Sequence, residues 1–159
     1  MPDMLVKLYE LPELHGYLAE MGDQGIQIRR AMAPDKKRIL AWIGENSTQG
    51  AVGEADVCFS HTPISLFLAT RDREIVGYAC YNATAPNFFG PTKVLESEQK
   101  KGIGKALLLK SLYALQAQGY AYAIIGGVGP QGFYEKVVGA TLIEGSKPGI
   151  YKDYLGAKE

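Results

Sequence analysis

Three lysines and two glycines crowd one short stretch of this chain, Gln99-Lys100-Lys101-Gly102-Ile103-Gly104-Lys105, and an apolar helical series follows at once. A helix start leaves backbone N–H groups without partners, and the aligned peptide dipoles add partial positive charge there. Gly102 and Gly104 carry no side chain that would keep a large anion from those groups. Lys100, Lys101 and Lys105 add formal charge around the same point. A diphosphate satisfies such a set of donors. The spacing alone is equally compatible with a plain helix start whose lysines face solvent. Two familiar phosphate motifs are excluded. No G-x-x-x-x-G-K-S/T occurs, and a dinucleotide fingerprint would need a third glycine and a different strand order.

Other residues have types suited to proton transfer. Tyr134, in Phe133-Tyr134-Glu135-Lys136, carries a phenol that is protonated at neutral pH and able to donate. Glu54 and Asp56 precede Val57-Cys58-Phe59; they face one way in an extended chain and different ways in a helix. His61 titrates nearest neutrality. Each also has an ordinary reading: a packed ring, solvated charges, a turn histidine. Ten tyrosines and Trp42 are available for a pocket, and equally for a core.

The elements that must position these groups follow from periodicity. Leu5 to Leu11 reads as a short strand and Pro12 to Met21 as a helix. Ile26 to Arg29 alternates as a half-buried strand does. Ala33-Pro34-Asp35 announces a helix with Ile39, Leu40, Trp42 and Ile43 on its apolar face, and Asn46 to Gly53 is rich in turn residues. Ile64–Thr70 and Ile75–Thr84 flank the polar turn Arg71-Asp72-Arg73-Glu74, which predicts an antiparallel hairpin. Residues 75–81 are apolar at every position, as a strand covered on both faces requires. Phe88 to Leu95 predicts a third strand with Pro91 at an edge, bend or bulge. Leu108, Leu112 and Leu115 recur at helical spacing before the stop signal Gly119. Tyr120–Ile125 predicts a strand, Pro130 starts another helix, and last strands are expected near Ala140–Glu144 and Ile150–Leu155. The sum is a mixed α/β domain in which a strand–helix–strand unit implies one parallel pair.

Composition bounds the function. The 159 residues suit one domain, with 47% hydrophobic residues and 21% charged, too apolar for disorder. Seventeen basic residues balance seventeen acidic ones, so no global field favours nucleic acid or a membrane surface. Cys58 and Cys80 lie in apolar segments without a C-x-x-C pattern, as buried free thiols do in a reducing compartment. No metal-ligand cluster is evident. The N-terminus lacks a signal-peptide core, and no apolar run approaches the roughly 20 residues of a membrane helix. A cytoplasmic protein is expected.

Gln99-x-x-Gly102-x-Gly104, following a strand that ends in Val94-Leu95, resembles the R/Q-x-x-G-x-G/A acetyl-CoA motif of the GNAT acetyltransferase superfamily. Phe133-Tyr134-Glu135-Lys136, followed by Gly139-Ala140, is similar to a segment that many members carry after their fifth strand. The resemblance covers Ile26 to Leu155 in element order. It implies a GNAT-like fold: a mixed, mostly antiparallel sheet, splayed at the cofactor site and flanked by helices. A single domain over residues 26–159 is expected, with residues 1–25 an N-terminal extension packed on it.

The resemblance further implies acetyl transfer from acetyl-CoA to a primary amine, without a metal. Gln99, Lys100, Lys101, Gly102, Ile103, Gly104 and Lys105 would hold the pyrophosphate, and the strand ending Val94-Leu95-Glu96 would orient the pantetheine arm. Tyr134 would donate a proton to the departing thiolate. Two departures stand out: Glu96 replaces a common proline and Lys100 a common glycine. Gly126 to Pro130 also lacks the asparagine that many members have, which leaves an asparagine contact to the cofactor without a candidate. The acceptor is expected to be a small molecule more than a protein, and the exposed final strands are compatible with a homodimer. A non-catalytic acyl-CoA sensor or partner module is the alternative. The base is open between Glu54, Asp56, His61 and water.

Overall fold

The structure, a computed structural model, describes residues 1–156. Its strands are β1 (Met4–Lys7), β2 (Ile26–Arg30), β3 (Leu66–Arg71), β4 (Glu74–Tyr81), β5 (Phe88–Val94), β6 (Tyr122–Ile125) and β7 (Thr141–Leu142). Its helices are α1 (His15–Asp23), α2 (Lys36–Asn46), α3 (Gln49–Cys58), α4 (Ile103–Ala117) and α5 (Gln131–Val138). The strands form one sheet in the order β2-β3-β4-β5-β6-β1-β7. Every pairing is antiparallel except β5 with β6, the pair joined through α4.

Local chemistry accounts for the central hairpin. Asp72 and Arg73 both take positive φ, 49° and 67°, in the two-residue turn between β3 and β4, which matches the right-handed twist of the strands. Val76 through Tyr81 are all buried, as the unbroken apolar run predicts. Leu66, Leu68, Tyr78 and Cys80 face α2 and α3, whereas Phe67, Ala69, Ala79, Tyr81 and Phe89 share the opposite core with α1, α4 and α5. Cys58 and Cys80 are buried free thiols.

Helix α4 fills the larger core with Leu107, Leu108, Leu112 and Leu115, each at most 1% exposed. Leu112→Ala should cost about 2–5 kcal/mol of stability, because the packed sheet beneath it collapses only partly into the cavity. A urea unfolding midpoint lowered with unchanged slope is the expected reading.

The first strand, expected over Leu5 to Leu11, ends at Lys7 and gives way to a 3-10 turn at Leu8–Glu10, and two longer segments also differ from the expected elements. Asn46 to Gly53, read as turns, is mostly the first half of α3. Thr48 caps that helix by accepting from the Ala51 N–H at 3.1 Å, and Ala51, Ala55 and Cys58 form a narrow buried stripe. Gly50 and Gly53 weaken intrinsic helix propensity, but close packing on the sheet outweighs it. Ile150 to Leu155, expected as a strand, is instead a 3-10 turn at Gly149–Tyr151 followed by further turns. Gly149, at φ 59°, reverses the chain out of extended geometry there.

The first 25 residues contribute to the same sheet and core. β1 pairs with both β6 and β7, and Met4, Val6, Leu8 and Met21 are almost completely buried. No helix among the described residues is long and apolar enough to cross a membrane.

Candidate active site

The decisive feature of the sheet is where two strands stop pairing. β5 runs against β4 along most of its length, but it meets β6 only at Phe88↔Ile124 and Phe89↔Ile125. From Gly90 onward the two strands part. Pairing resumes with β4 at Ala79↔Thr92 after Tyr81↔Phe89, so Gly90 and Pro91 together oppose Cys80. This bulge takes up the proline, which has no N–H to give the ladder. The Leu95 N–H donates to the Val76 carbonyl at 2.9 Å. Strand alternation therefore turns the N–H and C=O of Thr92 and Val94 the other way, into the gap. The Gln99 side-chain amide approaches the Val94 carbonyl at 3.3 Å.

The glycine motif borders this gap. Lys100 and Gly102 take φ of 66° and 88°, turning the chain sharply into α4. The first bond of the helix runs from the Ala106 N–H to the Gly102 carbonyl at 3.0 Å, which leaves the N–H groups of Ile103, Gly104 and Lys105 without intrahelical acceptors. A Cβ on Gly104 would meet nothing nearer than the Phe133 ring at 3.9 Å. Glu98 accepts from Arg71 at 3.0 Å and from Lys101 at 2.9 Å. The Arg71 guanidinium, with Lys101 beside it, holds the Glu98 carboxyl below its ordinary value. Its charge in the wall is thus compensated. The Lys101 carbonyl accepts from the Gln24 amide at 3.0 Å, which ties the end of α1 to the motif.

Between the parted strands, the start of α4 and helix α5 lies a cleft of about 580 Å³. It gathers Val94, Gln99, Lys100, Gly102, Ile103, Gly104, Lys105 and Tyr134. Three further expected residues lie elsewhere: Leu95 packs on the core, Glu96 is exposed at the start of a 3-10 turn, and Lys101 faces the shallow groove beside α1. Phe89, Thr92, Lys93, Glu98, Leu108, Pro130 and Phe133 also line the cleft, and none of them was among the expected site residues. Strand alternation from Val94 could have found Thr92.

Tyr134 is 6% exposed, with its ring edge-on to Phe133 at 5.1 Å and to Phe89 at 6.4 Å between centroids. Burial pushes its phenol up to about 12. The hydroxyl is thus a neutral donor throughout the physiological range. A pKa raised on folding has a sign that can be tested. Below pH 10 both states keep the proton; as pH rises through the folded value the unfolded chain has already lost it, and stability falls. A decrease of about 2–3 kcal/mol is expected from this group over that interval. Chemical unfolding of wild type and Tyr134→Phe across alkaline pH measures it, and the variant should show a shallower decline.

The candidate bases do not converge. Because residues 49–58 are helical, Glu54 and Asp56 leave α3 on different sides. Asp56 is exposed and paired with Lys36 at 2.9 Å. Glu54 is half-buried and accepts from the Thr84 hydroxyl. His61 shares a hydrogen bond with Ser65 through Nδ1 at 2.8 Å and lies in a separate hollow. Trp42 stands edge-on to Tyr78 at 5.9 Å within the smaller core. Among the described residues, no group of three or more His, Cys, Asp or Glu is placed to hold a metal.

The family model for the acetyltransferase (GNAT) family matches residues 27–140. The chain belongs to the GNAT family. The family, as its model describes it, is one of acetyltransferases. Solved structures share the GNAT fold at low identity. The GCN5-related glucosamine N-acetyltransferase region of a fungal multi-domain GH3 beta-N-acetylglucosaminidase is 13% identical, with a TM-score of 0.72 over 89% of this chain and 19% of that one. A GCN5-related N-acetyltransferase from Sphaerobacter thermophilus is 19% identical, with a TM-score of 0.64 over 89% of this chain and 48% of that one. The chain thus spans less than half the length of either protein. A GNAT family acetyltransferase from Brucella melitensis, solved in complex with acetyl-CoA, is 19% identical, with a TM-score of 0.54 over 74% and 86% of the two chains. No curated protein matches the chain. Within the GNAT frame, β5, α4, β6 and α5 all lie inside the matched residues, and β1 and α1 precede them.

Proposed function

We propose that the protein transfers acetyl from acetyl-CoA to a primary amine, by direct attack within the cleft between β5, α4 and α5. The parting of β5 from β6 beside the free N–H groups of Ile103, Gly104 and Lys105 carries this reading. The residues fit the co-substrate in kind. Backbone donors and Lys100 and Lys105 suit a pyrophosphate, and the inward N–H and C=O of Thr92 and Val94 suit the amides of pantetheine.

The chain's own groups divide the reaction between them. The β5 edge orients the thioester between the parted strands, where backbone donors polarise its carbonyl. The amine nitrogen, neutral when it attacks, forms a C–N bond to the carbonyl carbon as the C–S bond breaks. The sulfur takes the phenolic proton of Tyr134. The nitrogen releases its surplus proton to solvent, and solvent returns one to Tyr134. The products are an acetamide and the free thiol, with every proton accounted for.

The test is release of the CoA thiol from acetyl-CoA in the presence of a panel of primary amines. Amine-dependent release above the hydrolytic background supports the reading. Tight binding of acetyl-CoA with no turnover of any amine would favour a non-catalytic acyl-CoA module instead.

A further inference from the structure

A second pocket lies on the far side of the sheet from Tyr134, with a volume of about 630 Å³. α3, the β4–β5 connection and the segment 150–154 build it, and its chemistry is one-sided. Glu54 and Asp153 supply carboxylates, Thr84 and Tyr151 supply hydroxyls, and Val57 and Ile150 supply apolar walls. Among the described residues no lysine, arginine or histidine lines it.

Its position relative to the parted strands matters most. Gly126 directly follows Ile125, the last β6 residue paired with β5. A Cβ on Gly126 would stand 2.6 Å from the Tyr151 hydroxyl and 2.9 Å from the Phe88 ring. The Tyr151 hydroxyl therefore reaches the mouth of the gap. Phe88 and Phe89 are successive strand residues and point to opposite faces, Phe89 toward the Tyr134 cleft and Phe88 toward Tyr151. Tyr151 and Phe88 thus flank the gap between β5 and β6 on the face opposite the Tyr134 cleft. The Thr84 hydroxyl donates to Glu54, and burial, with the charges of Asp3 and Glu54 nearby, holds the Tyr151 phenol above its ordinary value. Tyr151 accordingly presents a neutral hydroxyl to the pocket that Glu54 also lines.

We infer that this pocket binds the acceptor, and that the acceptor is a small amine with a second cationic group and no carboxylate. The inference rests on the acetyl-transfer reading and deepens it. One nitrogen points through the gap past Tyr151, and the distal ammonium pairs with Glu54 at a half-buried site where a charge pair is less screened than in water. An acceptor carrying a carboxylate meets Glu54 and Asp153 with no cation to offset it. Glu54 is here a positioning and specificity residue.

The experiment compares 1,4-diaminobutane with 4-aminobutanoate, two primary amines of equal reach and opposite distal charge. The diamine should exceed the amino acid in kcat/KM by about a hundredfold, and Glu54→Gln, which can still accept from Thr84, should lower the diamine value by about tenfold. The selectivity ratio should collapse in that variant while the KM for acetyl-CoA stays within about twofold. Asp56→Asn, altering the exposed partner of Lys36 on the same helix, should change neither. Calorimetric binding of the diamine to the CoA-saturated protein gives a second readout, expected to weaken about tenfold in Glu54→Gln. Undetectable diamine binding, or equal binding by both proteins, overturns the inference, as does an unchanged selectivity ratio. Failure of acetyl-CoA itself to bind would defeat the acetyl-transfer reading, which that separate titration identifies.

Discussion

Replacing Tyr134 by phenylalanine is expected to lower kcat by about a hundredfold or more while leaving acetyl-CoA affinity within about twofold. The argument is one of protonation and packing. The phenol sits among Phe89 and Phe133, and its burial pushes it up to about 12, so the proton is present whenever a thiolate departs. Phenylalanine keeps the ring contacts and loses only the donor. Both kcat and kcat/KM should therefore fall together, as they do when an interaction made only in the transition state is lost. Steady-state kinetics with a separate equilibrium titration of acetyl-CoA checks this. An unchanged rate would remove the proton-donor role.

Gly104→Val acts at the opposite end of the cleft, with the opposite signature. A side chain there grows into space bounded by Phe133 and Val94 at 3.9 and 4.0 Å, so the fold can accept it. Valine is also a somewhat better helix residue than glycine. The added methyl groups instead stand over the N–H groups of Ile103 and Lys105, where the pyrophosphate would lie. Acetyl-CoA affinity should fall by tenfold or more, about 1.4 kcal/mol, with no loss of thermal stability. Calorimetry and thermal unfolding on the same preparation separate the two. A normal affinity would place the pyrophosphate elsewhere.

These two residues were legible in the sequence because their signals are local. Two glycines among lysines before an apolar helix, and a tyrosine in a short helical segment, are visible without knowing what lies across the sheet. The hairpin and the parallel pair were legible for a similar reason, since turn residues and connection type dictate them. What pairing decides was not legible. The family resemblance implied a splayed sheet, but the place where β5 leaves β6, after Phe89, depends on register between strands far apart in sequence, and so the cleft's width and its lining by Phe133 and Thr92 escaped. α3 escaped because Gly50 and Gly53 mask a stripe of small residues, and its helical form decided that Glu54 and Asp56 part company. The far pocket was hidden twice over. It needs both that helix and the turns of residues 149–154, where a strand was expected.

The central claim is that acetyl-CoA lies between β5 and α4 with its pyrophosphate on the start of that helix. Backbone amide resonances followed during titration with CoA test it residue by residue. Saturable shifts should appear at Ile103, Gly104 and Lys105 and at Thr92 and Val94, with little change in β2 or β3. Shifts absent from the Gly102–Lys105 turn while CoA still binds would contradict the account.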